Sequence, residues 1–232
     1  DETKIVELPV SDEKTLTLVS SSGRTVDVET GIALRRVAKV RGWDEVAAQP
    51  AIALDDPMMY APGYADLSAN GLYHGADDLS ASARLGYDDE ALCLEFIVKD
   101  EAQLNENLPP RVFAADCVQF AIDALNDGRV NLLKGHRGFA DDDYSIVAGL
   151  ASGERVAWCY SAAAINRDRL ADRRLADPEI VRDETAKTTR YRLRLPFADL
   201  APLKPVKGRV FGFSFLVWDF DPPEKGGCSR RS

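Results

Sequence analysis

The segment from Ala83 to Asp123 contains three stretches in which apolar and polar side chains alternate, and this alternation is the strongest constraint on the fold. A period of two puts every second side chain on the same face, which is typical of a β-strand with one buried face. The segment therefore predicts three sheet strands rather than helices. The apolar positions are Ala83, Leu85, Tyr87, Leu92, Leu94, Phe96, Val98, Val118, Phe120 and Ile122.

Short alternating runs recur through the rest of the chain, separated by turn residues. The runs 144–150 and 156–160 flank a Ser-Gly turn, which predicts a β-hairpin. Two further runs, 190–195 and 211–217, are also expected to be strands. Because the sequence lacks a long helical repeat, it predicts an all-β fold. We expect a two-sheet antiparallel β-sandwich, jelly-roll-like, that forms a single domain with long loops.

No linker or internal repeat divides the sequence. Residues 1–30 contain short strand-like runs and are expected to extend the same domain, while residues 31–232 are expected to form the sandwich. The chain begins at Asp1 without a signal-peptide core, as a secreted or periplasmic protein does once its signal is removed. We therefore expect a secreted or periplasmic location, although any trimmed chain would start in the same way.

Charge and composition argue against several classes of function. The formal net charge is −9, whereas nucleic acid is bound chiefly through clustered Lys and Arg, so we expect no nucleic-acid partner. No apolar run approaches the roughly 20 residues that span a bilayer, so we expect no membrane span. The cysteines lack zinc-type spacing with the two histidines. We expect free thiols at Cys93, Cys117 and Cys159 and leave Cys228 open.

Six segments between Gly42 and Asp221 occur in a recognisable order: GWDEVAAQPAIAL, ADDLSASARLGYDDEALCLEFIVKD, ADCVQFAID, DDDYSIVAGL, RYRLRLPFADLAPL and KGRVFGFSFLVWDFD. Such an order is more specific than any one motif. It resembles the family 9 carbohydrate-binding modules and their DOMON-related relatives. The resemblance implies a β-sandwich that binds glycans, carries structural Ca²⁺ and accompanies a secreted polysaccharide-acting enzyme.

The resemblance also implies a sugar clamp made of two tryptophans. Phe113 stands where the first would lie, and the tail after the last strand, which should supply the second, contains no tryptophan. Aromatic rings pack well on the C–H faces of sugars. The candidate carbohydrate-binding residues are Phe113, Trp218, Tyr73 and Tyr64, with Trp218 expected to be exposed on its strand. Trp158 is expected in the core.

An acidic run, Asp141-Asp142-Asp143, precedes the predicted strand at 144–150. Clustered oxygen ligands suit Ca²⁺, which takes six to eight of them. Three adjacent carboxylates cannot all bind one ion, so Asp116, Asp123 or backbone carbonyls would have to contribute. The metal candidates are Asp141, Asp142, Asp143 and Asp116, with structural Ca²⁺ as the cofactor, and the alternative is a solvated turn.

Catalysis is not expected, because the sequence has no G-x-S-x-G elbow, P-loop or dinucleotide fingerprint and its acidic pairs lie in no catalytic motif. We predict a non-catalytic carbohydrate-binding domain of an extracellular bacterial system for glycan breakdown. Its partners would be an oligo- or polysaccharide and a fused or separate glycan-acting enzyme. The alternative is a structural or protein-interaction sandwich that has lost the sugar clamp. A haem-binding DOMON-like domain is a more distant alternative.

Overall fold

The computed structural model describes residues 15–19, 25–29, 35–54, 76–127, 141–175 and 177–220. The chain divides into two compact units, residues 1–37 and residues 38–232. The first contains an antiparallel hairpin of β1 (Thr15–Val19) and β2 (Thr25–Glu29). That residues 1–30 extend the sandwich stays a prediction.

The second unit contains the remaining described strands. These strands are β3 (Ala38–Lys39), β4 (Ile52–Leu54), β5 (Leu79–Tyr87), β6 (Ala91–Asp100), β7 (Cys117–Asp123), β8 (Asp143–Ala151), β9 (Glu154–Ser161), β10 (Arg173–Arg174), β11 (Glu179–Asp183), β12 (Thr188–Pro196) and β13 (Gly212–Trp218). The alternating runs of the sequence therefore fold as strands, and the predicted hairpin is β8–β9.

These strands form two sheets, which confirms the predicted β-sandwich. One sheet has five strands in the order β10-β9-β8-β7-β13, and the other has six, with β11-β12-β6-β5-β3 in line and β4 also paired with β5. Within the described residues every pairing is antiparallel except the short β3–β5 pair. Consecutive strands β6 and β7 lie in different sheets, so residues 101–116 carry the chain from one sheet to the other.

Helices are short in the described part of the chain, and none could cross a membrane. Helix α1 (Trp43–Ala47) contacts β5 and β6, and α2 (Arg167–Leu170) lies near β9. Two 3₁₀ segments, Pro109–Ala114 and Ala164–Asn166, complete the set. The sheets thus supply almost all of the regular structure in the described ranges.

The core lies between the inner faces of the two sheets. Phe96 of β6 and Phe120 of β7 are fully buried, and their ring centroids are 5.4 Å apart. Phe213 and Phe215 of β13 pack on Phe96 at 6.4 and 5.6 Å. Complete burial of one such side chain contributes about 1.5–3 kcal/mol. The aromatic contact between β6 and β7 therefore joins the two sheets.

A buried ion pair lies on the outer face of the six-stranded sheet. Glu95 is buried and accepts a hydrogen bond from Arg192 Nε at 2.8 Å. The same guanidinium lies 5.3 Å from the ring centroid of Trp43, a cation–π distance. Trp43 packs against Val40 and Cys93. Trp43, one of the three tryptophans, therefore packs on the outer face of the six-stranded sheet.

Replacing Phe96 with alanine should destabilise the fold strongly, because it leaves a cavity between the sheets. We expect a loss of about 3–5 kcal/mol in the free energy of unfolding, measured by urea denaturation. Leu108→Ala is the matched control, because Leu108 is 72% exposed and surface substitutions change stability by about 0.5 kcal/mol or less. Equal effects of the two substitutions would contradict this account of the core.

Candidate functional site

The 3₁₀ segment Pro109–Ala114 lies over the outer face of the five-stranded sheet. Val112 is fully buried there against Cys117 and Val147. Gly149 of β8 permits this close approach, because a Cβ at that position would lie 2.7 Å from Val112 Cγ2 and 3.3 Å from the Asp116 carbonyl oxygen. A side chain at 149 would push the segment off the sheet.

Four aromatic side chains surround this contact, and we call them the outer-face aromatic cluster: Phe113, Trp158, Tyr160 and Trp218. The last three are half-buried and pack against the buried residues under the 3₁₀ segment. Phe113 is 41% exposed and meets Tyr160 edge-to-face, with centroids 5.3 Å apart. The cluster presents aromatic surface on the side of the sheet that faces away from the core.

Hydrogen bonds fix the orientation of both indoles. Trp218 Nε1 donates to Gln119 Oε1 at 3.0 Å, and Gln119 Nε2 donates to Ser145 Oγ at 3.3 Å. Trp158 Nε1 donates to Asp172 Oδ1 at 3.1 Å. A ring held in this way keeps its face in one direction without the entropic cost of ordering it for each ligand.

Tyr160 is fixed by the 3₁₀ segment itself. Its hydroxyl donates to the Pro110 carbonyl at 3.0 Å. Burial raises the pKa of Tyr160 to about 12, so the phenol is neutral and remains a donor at ordinary pH. The ring against which Phe113 packs is therefore rigidly connected to the backbone beside Phe113.

The structure brings together two of the four predicted sugar-binding residues, Phe113 and Trp218. Tyr64 and Tyr73 lie outside the described residues. Trp158, which we expected in the core, is half-buried on the outer face, where the register places it opposite Val147. The period of two correctly indicates that Trp158 and Tyr160 share a face, but it does not say which face points outward.

Asp116 anchors the chain between the sheets at the edge of this cluster. It is 3% exposed, and its carboxylate accepts hydrogen bonds from the backbone N–H groups of Leu104 and Phe220. Its backbone carbonyl accepts from the side-chain amide of Asn105 at 3.2 Å. Asn105 also donates to the Val112 carbonyl at 2.8 Å. One buried acid thereby connects the 101–116 segment, the 3₁₀ segment and the end of β13.

Two other carboxylates approach Asp116. Oxygen atoms of Asp100, Asp116 and Asp219 all lie within 4.8 Å of one another. Burial raises the pKa of Asp116 to about 8, the two backbone N–H donors oppose the rise, and the charges of Asp100 and Asp219 add to it. Three oxygen donors in this geometry suit a hard cation such as Ca²⁺.

The predicted metal candidates lie in different places. Asp142 Oδ2 accepts from the Leu125 N–H at 2.8 Å, and a carboxylate oxygen of Asp142 lies within 4.8 Å of one from Asp123 and one from Asp127. Burial is the main cause that raises the pKa of Asp142. Asp116 lies instead with Asp100 and Asp219, and Asp141 pairs with Arg167 at 2.9 Å. Within the described residues, Asp143 belongs to neither of these two carboxylate groups.

Comparison with known proteins gives a match in structure alone. No protein-family model matches the sequence, and no curated protein matches it. A family 9 carbohydrate-binding module from Caldicellulosiruptor kristjanssonii, solved with cellotriose, matches with a TM-score of 0.50 and 17% identity, covering 79% of this chain and 75% of that chain. A structure of such a module from the same organism with glucose has a TM-score of 0.49 and 16% identity, with coverages of 80% and 78%. The chain has the β-sandwich fold of the family 9 carbohydrate-binding modules, as the sequence predicts.

The raised pKa of Asp116 predicts how stability depends on pH in the metal-free protein. Between the ordinary pKa of 3.8 and about 8, folded Asp116 keeps its proton while the unfolded chain has lost it. The folded state then binds more protons, so its stability falls as the pH rises through this window. One group can contribute a slope of at most roughly 1.4 kcal/mol per pH unit.

Urea denaturation in EDTA between pH 4.5 and 8.5 checks this prediction. The unfolding free energy of the wild type minus that of Asp116→Asn should fall as the pH rises, because asparagine does not titrate and the variant lacks this contribution. A difference that is constant across the range would show that Asp116 is ionised in the folded protein throughout.

Proposed function

We propose that this chain is a non-catalytic carbohydrate-binding module that holds an oligosaccharide on the outer-face aromatic cluster. The observation that carries the proposal is the arrangement of Phe113, Trp158, Tyr160 and Trp218 on one sheet face, with both indoles held by hydrogen bonds. The likeness in fold to a module solved with cellotriose supports it.

The chemistry of the cluster suits a sugar ring. Aromatic faces pack against the C–H faces of a pyranose, and each such contact buries apolar surface of a ligand that is otherwise polar. Gln119 and Asp172, which hold the two indoles, add an amide and a carboxylate at the edges of the rings. Their remaining donor and acceptor positions can pair with sugar hydroxyls.

The wider setting is part of the same proposal. A module of this kind would act in a secreted or periplasmic bacterial system for polysaccharide breakdown, where it would keep a fused or separate glycan-acting enzyme close to its substrate. Because the module would raise the local concentration of substrate around the enzyme, modest affinity for the polysaccharide would be enough.

A second candidate function is protein binding by the same face. Leu108, which precedes the 3₁₀ segment, and Leu216, two residues before Trp218 on β13, are both exposed. Apolar surface next to half-buried aromatic rings is also what a protein partner contacts. Binding of soluble oligosaccharides separates the two, because a protein-interaction sandwich would bind none of them.

We also propose that Asp100, Asp116 and Asp219 hold a structural Ca²⁺. The oxygen donors and their spacing fit such an ion. A cation there would offset the mutual repulsion of the three carboxylates and would lower the pKa of Asp116. It would also strengthen the connection between the 101–116 segment and the end of β13, which carries Trp218.

Removing either outer-face indole should weaken sugar binding. Trp158→Ala or Trp218→Ala is expected to reduce affinity for cellotriose at least about tenfold, a difference of roughly 1.4 kcal/mol, because each loses a stacking surface. Isothermal titration calorimetry, with affinity electrophoresis on polysaccharides, measures the change. Trp43→Ala is the matched control, since Trp43 in α1 packs against the six-stranded sheet, and it should leave affinity unchanged. If the wild type binds no glycan, or if all three variants bind equally, the outer-face site is wrong.

Calcium should stabilise the fold through the Asp116 group. A ligand that binds only the folded state adds about 2.7 kcal/mol at a concentration one hundred times its Kd, so Ca²⁺ should raise the melting temperature and EDTA should reverse the rise. Asp219→Asn should abolish the response. Asp141→Asn, at an exposed residue paired with Arg167, should keep it. A melting temperature indifferent to Ca²⁺ in the wild type would refute the site.

A further inference from the structure

A cavity of about 280 Å³ opens between the two sheets on the side away from β13. Its walls come from the inner faces of β8, β9 and β12, from α2 and from the segment that leads into β11. Six aliphatic side chains and two prolines contribute the apolar part of the lining: Ile146, Leu170, Leu175, Leu193, Leu195, Leu200, Pro178 and Pro196. The cavity is separate from the outer-face aromatic cluster, because the five-stranded sheet lies between them.

The uncharged polar groups that line the cavity already have partners. The hydroxyl of Tyr144 donates to the Ala201 carbonyl at 2.5 Å and accepts from Asn166 Nδ2 at 3.0 Å. The Cys159 thiol donates to the Ser161 carbonyl at 3.1 Å. Burial, together with the charge of Asp199, raises the pKa of Cys159 to about 12, so the thiol is neutral.

The charged groups that line the cavity are paired as well. Asp199 accepts from Arg169 at 2.6 Å, and Asp177 accepts from Arg174 at 3.3 Å. Arg194 is bound by Asp88 and Glu90. Each charged side chain that the structure describes in the lining thus has a partner of opposite charge, and the two carboxylates, Asp177 and Asp199, disfavour an anion.

We propose that this cavity binds a small, uncharged, apolar molecule, such as a bicyclic aromatic or a compact branched hydrocarbon. A buried water needs two to four polar partners, and an apolar cavity of about 150 Å³ stays dry and accepts benzene. A space of about 280 Å³ therefore suits roughly ten non-hydrogen atoms by the same measure. Such a ligand gains contact with the aliphatic walls and leaves every internal hydrogen bond in place.

The test uses naphthalene as the probe and 1-naphthoate as its charged counterpart. Naphthalene should raise the melting temperature of the wild-type protein, and the same concentration of 1-naphthoate should not. Leu175 lines the cavity and is partly exposed, so the larger indole of Leu175→Trp should occupy part of the space and weaken naphthalene binding at least tenfold. The control is Ile165→Trp, which places the same indole at a position that is 74% exposed and should bind like the wild type.

Methyl NMR of the wild type keeps the proposal testable even if Leu175→Trp does not fold. Naphthalene should shift the methyl signals of Ile146, Leu170 and Leu193, which line the cavity. Shifts confined to Val147 and Val156 would instead place the probe under the outer-face aromatic cluster and would overturn the proposal. Absence of binding, or equal binding by 1-naphthoate, would overturn it too.

Discussion

The packing of Phe96 on Phe120 is the contact on which the rest of the structure depends. These residues lie on strands that follow one another in the chain but belong to different sheets. Their burial sets which face of each strand is inner. Once that is set, the period of two fixes the outward direction of Trp158, Tyr160 and Trp218. The burial of Phe96 and Phe120 and the outward position of the aromatic cluster therefore follow from the same assignment of inner and outer faces to the strands.

The crossing between the sheets needs its own support, because a chain that leaves one sheet for another carries backbone groups with no strand partner. Asp116 supplies much of it by accepting from Leu104 and Phe220, and Asn105 adds a bond to the Val112 carbonyl. Burying a carboxylate costs free energy, and Asp100 and Asp219 increase that cost through their charge. A structural cation at this point would connect the stability of the crossing to the position of the aromatic rings.

Several features of the site could be predicted from sequence, and others could not. Phe113 and Trp218, both named from sequence as candidate sugar-binding residues, lie together on the outer face of the five-stranded sheet. Trp158 was misplaced because an aromatic in an alternating strand fits an inner or an outer face equally well. The acidic run 141–143 shows the same limit. Although they are adjacent in sequence, Asp141 pairs with Arg167, whereas Asp142 lies near Asp123 and Asp127. The remaining candidate, Asp116, lies near Asp100 and Asp219, and Asp219 is far from it in the chain.

The sequence by itself determined that this chain forms alternating strands with aliphatic and aromatic inner positions, because the period of two is a local property of extended backbone. It also determined the order of motifs that predicts the sandwich. Only the tertiary structure decided which strands share a sheet, which aromatic rings meet and which carboxylates converge. Those outcomes depend on contacts such as Trp218 with Gln119, and Asp116 with Asp219, whose partners are about one hundred residues apart. Periodicity carries no information about contacts at that separation.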